Sequence, residues 1–214
     1  MEVDWSWIVR NSDLLAALTR EHLLLSLVPI VLGTVIAVPL GVVCARWTAL
    51  YGPTLVVSIV LFAIPSLVLF IFLLPVTGIS RLTAIVPLTI YTVSLLLRSV
   101  VDGIRSVDPA VRQFATAIGY TGLHRIIRVE LPIAVPVVLG GLRVASMATI
   151  GMVTVASLIG IPSLGNLFVD GTQRHFMTPI LLGILLVTCF AVVVDLGLVL
   201  VQRRLTPWAQ RRQV

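Results

Sequence analysis

The chain has 214 residues, 58% of them hydrophobic and 11% charged, with a mean hydropathy of +1.12 and a formal net charge of +6. Soluble domains carry about 25% charged residues, so this composition describes an integral membrane protein of one domain, with no length left for a separate globular unit. All 15 basic residues are arginine, which excludes a lysine-bearing phosphate loop, a Schiff-base lysine and a Ser-x-x-Lys nucleophile; any nucleotide energy must come from another chain.

Residues 1–22 form an external segment that is acidic on balance, with Glu2, Asp4, Asp13 and Glu21 against Arg10 and Arg20. Trp5 and Trp7 suit an interfacial helix with its rings at headgroup depth. The segment lacks the basic start and short apolar stretch of a signal peptide, so it is expected to be retained. The first apolar run, Leu23 to Cys44, has 22 residues, enough to cross a core of about 30 Å at about 1.5 Å per residue. Pro29, Gly33, Pro39 and Gly41 predict local kinks in it, which membrane helices tolerate where neighbours satisfy the freed carbonyls.

Arg46 and a Tyr51-Gly52-Pro53 turn precede the second run, Thr54 to Val76, which carries Pro65-Ser66 near its middle. The third run, Leu82 to Leu97, has only 16 residues and is expected to use the following turn, with Arg98 snorkelling to the interface. Arg98, Asp102 and Arg105 can pair along one helix face just outside the membrane.

A polar and basic island then runs from Asp108 to Pro132 within a loop over residues 102–132. Asp108 as N-cap, Pro109 at the first helical position and Gly119 as terminator punctuate a short helix. Val111, Phe114, Ala115 and Ile118 fall on one face, while Arg112, Gln113 and Thr116 point elsewhere. Leu123, Ile126 and Ile127, interleaved with His124, Arg125 and Arg128, repeat the pattern until Leu131-Pro132 breaks it. A solvated connection has the same composition, so periodicity alone leaves both readings open.

The fourth run, Ile133 to Ile159, is apolar except for Arg143, and Gly141, Ala145 and Thr149 repeat every four positions as a close-packing stripe for other helices or another subunit. Residues 160–166 are predicted as a turn and Asp170 to His175 as a polar loop. The last run, Ile180 to Val201, ends in a basic tail with Arg203, Arg204, Arg211 and Arg212. The fold class is thus all-α, with five transmembrane helices. With the island inside, ten arginines lie inside and four outside, which predicts the N-terminus out and the C-terminus in.

The island resembles the EAA loop of the membrane subunits of ATP-binding-cassette importers. That pattern is Glu-Ala-Ala, three residues, Gly, nine residues, Ile, one residue, Leu-Pro. Its Gly falls on Gly119, its Ile on Val129 and its Leu-Pro on Leu131-Pro132; the Glu-Ala-Ala triplet falls on Gln113, Phe114 and Ala115, so two of its three residues differ. The stretches Glu21 to Gly41, Val107 to Thr121 and Ala156 to Gly171 are similar to the branch that carries glycine betaine, choline, carnitine and related osmoprotectants. The resemblance implies the type I importer permease fold and no catalysis by this chain. It also implies a second permease subunit, two ATPase subunits and an external solute-binding protein as partners. The implied mechanism is alternating access, with Val111, Phe114, Ala115 and Ile118 as the packed face of a coupling helix, Gly119 permitting its turn, and Pro132 starting the next helix rigidly. Gln113 and Phe114 depart from the triplet and are where partner choice is expected to differ.

Elsewhere, Asp195 in the fifth run needs a partner or water, either in the solute pathway, in an ion pair with an arginine such as Arg143, or by reaching the interface. His22, His124 and His175 are too scattered for a metal site, and no cofactor is implied. Cys44 and Cys189 each lie within an apolar run, and no disulfide is expected. The scattered arginines argue against nucleic acid and for membrane lipid. Phe168 and Phe176 offer faces for a quaternary ammonium but read better as interface anchors. A permease for amino acids or other small solutes, a secondary transporter using Asp195 and Arg143, and a regulatory subunit that docks through the island are the competing readings. Inverted repeats of a secondary transporter are not visible.

Overall fold

The computed structural model describes residues 4–210, all of whose regular elements are helical. Glu2 at one end, and Arg211 and Arg212 at the other, lie outside the described residues. In chain order the helices are α1 (Trp5–Arg10), α2 (Ser12–Arg46), α3 (Thr48–Ala63), α4 (Ser66–Thr77), α5 (Arg81–Arg105) and α6 (Pro109–Ala117). There follow α7 (Gly122–Arg125), α8 (Leu131–Val153), α9 (Asn166–Gln173), α10 (Met177–Leu205) and α11 (Pro207–Gln210). A π-helical turn, Ile126–Glu130, leads into α8, and a 3-10 turn, Thr154–Ile159, extends it. Among the described residues, four helical stretches are long and apolar enough to cross a membrane: α2, α5, the run Gly122–Ile159, and α10.

The bundle is arranged around α5, which packs against α2 on one side and α8 on the other. In its most apolar stretch 56% of residues are buried, against none in that of α10, so α10 forms the rim. The buried side of α5 is rich in hydroxyls. Thr89, Thr92 and Ser94 donate to the carbonyls of Ile85, Leu88 and Ile90 at 2.7, 2.9 and 2.9 Å, which satisfies each hydroxyl without water. Thr92 Oγ1 also lies 2.9 Å from Thr149 Oγ1 and joins α5 to α8. Along the same seam Ile30 and Ala37 of α2, Leu96 and Val100 of α5, and Leu142 and Ile150 of α8 form the core.

Such close approach depends on small residues. A β-carbon at Gly33 of α2 would sit 2.5 Å from Thr92 Cβ, so only glycine fits there. Gly141 faces Ser99, and Ala145 and Thr149 are fully buried. The small-residue stripe of α8 therefore packs on α5 of its own chain. Pro29 and Pro39 do not break α2, which continues as one helix of 35 residues.

The second apolar run is interrupted at the Pro65-Ser66 pair near its middle. α3 and α4 are separate helices bent by 87° at a break formed by Ile64 and Pro65. Proline has no N–H to donate and pushes the residue before it out of the helical region, and Ile64 is extended at φ −67° and ψ 128°. Its freed carbonyl accepts a hydrogen bond from the hydroxyl of Tyr91, a fully buried residue of α5.

Asp4 caps α1 by accepting from the Trp7 amide at 3.0 Å, and the Asp4 amide donates to Thr178 Oγ1 at 3.0 Å. With Trp7 edge-on to Phe176 at 5.8 Å, these contacts fix α1 to the corner before α10. Residues expected as a polar loop from Asp170 are helical through Gln173 instead, leaving only Arg174, His175 and Phe176 between α9 and α10. Leu167 and Gly171, one turn apart, are buried, and that inward face outweighs the polar side chains around it. At the start of α5, Arg81 Nε donates to Glu21 of α2 at 2.8 Å. At its end, Arg98 reaches Asp102 at 3.5 Å, whereas Arg105 lies 4.0 Å over the Tyr51 ring rather than on Asp102.

Candidate functional site

The site is the segment that joins α5 to α8. Asp108 Oδ1 accepts from the Ala110 amide at 2.7 Å and Pro109 opens α6, as capping chemistry requires. At the other end Gly119 adopts φ +96°, and the Tyr120 amide returns to the Ala115 carbonyl at 2.9 Å. That is a left-handed helix terminus, which glycine occupies without a β-carbon penalty. The nine residues of α6 are therefore stopped at both ends by the residues that punctuate the sequence.

The apolar stripe of α6 is shared between two environments. Ala115 is 4% exposed and Val111 is half-buried, both toward the rest of the chain. Phe114 and Ile118 are 73% and 76% exposed, with Gln113 exposed beside them. Leu123 and Ile127 are exposed as well. An amphipathic helix normally turns its stripe inward; here its outer edge is exposed. A cleft of about 460 Å³ lies alongside, lined by Pro109, Arg112, Gln113, Thr116, Ala117 and Arg125.

Leu131-Pro132 does not break the helical path. Leu131 and Pro132 are the first residues of α8, which continues directly from the π-helical turn holding Val129. The Leu131 amide reaches back five residues to the Ile126 carbonyl. Because Pro132 has no amide proton, one carbonyl in the turn before it goes unclaimed by the ordinary pattern, and a wider turn accommodates this. Pro132 thus follows a local bulge in a helical path that begins at Gly122.

Periodicity gave no hint of the charged network behind α6. Glu130 is 4% exposed, and its carboxylate accepts from Arg125 Nε at 2.8 Å while Arg112 Nε lies 3.5 Å from its other oxygen. Arg112 Nη2 also donates to the Ile104 carbonyl at 2.6 Å, at the end of α5, and Arg125 Nη1 donates to Thr116 Oγ1 at 2.9 Å. Thr116 Oγ1 in turn donates to the Arg112 carbonyl at 2.9 Å. The signal that could have exposed this network is that Glu130 is the single acid among residues 109–169.

The remaining candidates fall into structural places. Arg143 and Asp195 form a two-pronged ion pair between α8 and α10, Nε to Oδ1 at 2.6 Å and Nη2 to Oδ2 at 2.8 Å. His22 is fully buried and edge-on to Phe190 at 6.0 Å. Phe168 packs at Gly183, and Phe176 at Trp7. Cys44 Sγ lies 3.5 Å from Thr54 Oγ1, and Cys189 is on the exposed side of α10. Among the described residues, no three His, Cys, Asp or Glu side chains gather into a metal-holding group.

Known proteins share this architecture and sequence. The chain is 36% identical to the choline transport system permease protein OpuBB of Bacillus subtilis, over 91% of this chain and 89% of that one. It is 34% identical to the glycine betaine/carnitine/choline transport system permease protein OpuCB of the same organism, over 94% and 93%. Among solved structures it is similar to the MetNI methionine ABC transporter in an inward-facing conformation, with a TM-score of 0.81 at 21% identity over 92% of this chain and 98% of that one. A second neighbour is an amino acid ABC transporter solved with histidines, TM-score 0.76 at 18% identity over 95% and 100%. At those identities the structures speak for the fold alone. Residues 37–207 match the family of binding-protein-dependent transport system inner membrane components, and the chain belongs to that family as a multi-pass membrane transport subunit without catalysis of its own.

Proposed function

We propose that this chain is the permease subunit of an importer for small osmoprotectants of the choline, glycine betaine and carnitine type, and that it receives ATP-driven motion through α6. The observation that carries the reading is the α6 surface: a helix capped at both ends and braced from behind, whose Phe114 and Ile118 are left uncovered. A contiguous apolar surface of this kind marks a docking site. On this reading Val111, Gln113, Phe114, Ala115, Ile118 and Gly119 shape the docking helix, and Val129, Leu131 and Pro132 join it to α8. Two ATPase subunits dock, a second permease subunit completes the solute path, and an external binding protein delivers the solute.

In the membrane, the bent α3–α4 pair serves as one span beside the four continuous ones, giving five. The N-terminus then lies outside and the C-terminus inside, which puts the docking helix and ten of the arginines in the cytoplasm. The whole chain acts as one permease domain. The substrate class is supported by relatives at 34–36% identity along nine-tenths of the chain. A self-sufficient secondary transporter is disfavoured because Arg143 and Asp195 already satisfy each other.

Co-expression with the candidate ATPase and second permease tests the reading. Affinity purification of this chain should bring the ATPase with it, and the reconstituted complex should take up choline only with ATP and a loaded binding protein. Choline flux by the isolated chain, or a complex that never retains an ATPase, would overturn it.

A further inference from the structure

The cycle of contacts behind α6 belongs to none of the docking surface, yet it joins every element that the surface would have to move. Glu130 sits at the last residue of the π-helical turn, directly before α8. Arg112 comes from α6 and is bonded to the end of α5 through the Ile104 carbonyl, and Arg125 closes α7 and is bonded back to α6 through Thr116. One buried carboxylate is thus the common partner of arginines from both sides of the Gly119 turn. Apart from this network, α6 is tied to the bundle mainly by the small Ala115 and the half-buried Val111. A nine-residue helix held by so little apolar surface would slide or tilt under load without moving its neighbours.

We propose that Arg112, Glu130 and Arg125 are positioning residues for transport: they lock α6, the end of α5 and the base of α8 into one rigid unit, so that a displacement of α6 reaches the spanning helices. This rests on the reading of α6 as the docking helix. In this proposal the three act on neither the solute nor the nucleotide directly. Their effect is on how much of each stroke is delivered, and ion-pair networks with defined geometry carry such coupling. The buried, two-sided pairing also makes the carboxylate the sensitive member. Neutralising it leaves two arginines facing each other, whereas neutralising Glu130 together with Arg125 removes a matched pair.

The test uses the complete transporter in proteoliposomes, with choline as the probe. For Glu130→Gln, the amount of co-purified ATPase and its basal hydrolysis should match the wild type, while choline moved per ATP falls by about tenfold. Should that variant assemble poorly, Arg125→Gln/Glu130→Gln is expected to recover assembly and still transport inefficiently per ATP. Unchanged choline per ATP in Glu130→Gln overturns the inference, as does a double variant that regains both assembly and coupling or one that regains neither. A wild-type complex that retains no ATPase or moves no choline instead overturns the functional reading, and this inference with it.

Discussion

Replacing Phe114 by Ala separates docking from folding. Fully burying a phenylalanine side chain contributes about 1.5–3 kcal/mol, and Phe114 is still 73% exposed in the isolated chain. Roughly three quarters of that contribution, about 1–2 kcal/mol, therefore remains for a partner to use. Truncation should weaken ATPase binding by about five- to thirtyfold at each docking site. The permease itself should hardly notice, because the ring covers little of its own chain. Ala115→Asp is the contrasting control: it places a charge at a position 4% exposed and should lower the melting temperature of the permease alone. The assay is titration of detergent-solubilised permease with fluorescent ATPase, with thermal unfolding of each variant measured in parallel. If Phe114→Ala binds ATPase as tightly as the wild type, or if its melting temperature drops as far as that of Ala115→Asp, then the ring is not a docking group.

Three further changes test the architecture. Asp195→Asn removes the carboxylate charge facing Arg143 and should destabilise the chain by roughly 1.5–3 kcal/mol in thermal unfolding, while Arg143→Met/Asp195→Leu should recover most of the loss; a double variant weaker than the single would contradict an ion pair whose role is structural. Gly33→Ala introduces a β-carbon 2.5 Å from Thr92 Cβ and should cost about 1–3 kcal/mol by forcing α2 from α5, whereas the same change at the open Gly140 should be silent in the same unfolding assay. Tyr91→Phe takes away the donor to the Ile64 carbonyl and should cost about 1–3 kcal/mol, with faster amide exchange confined to the α3–α4 break; uniform exchange would refute the cap.

The punctuation of α6 was legible because caps are local: Asp108, Pro109 and Gly119 act on residues a turn away. The outward aim of Phe114 was not, since a stripe gives the apolar arc of a helix without saying how far the chain's own core covers it. Pro65 stood in plain view within the second run, but a proline does not say how far the chain turns; the freed carbonyl beside it is met by a phenol 26 residues further along. The opposite error occurred at Asp170, where polar residues concealed a helix that needs only Leu167 and Gly171 inside. The Glu130 network joins positions 112, 125 and 130 across the Gly119 turn, and periodicity relates residues only within one element, so the lone acid signalled a buried partner without naming it.

The Ile64 carbonyl also imposes an order on biogenesis. Synthesis delivers α3 and α4 before α5, and a carbonyl without a donor costs several kcal/mol in hydrocarbon. If the α3–α4 pair is the fifth span, the sharp bend has no donor for this carbonyl until Tyr91 arrives, and α3 and α4 should not settle in the bilayer before it. A nascent chain truncated before Tyr91 should then remain sensitive to protease at Pro65, and one extended past Tyr91 should not.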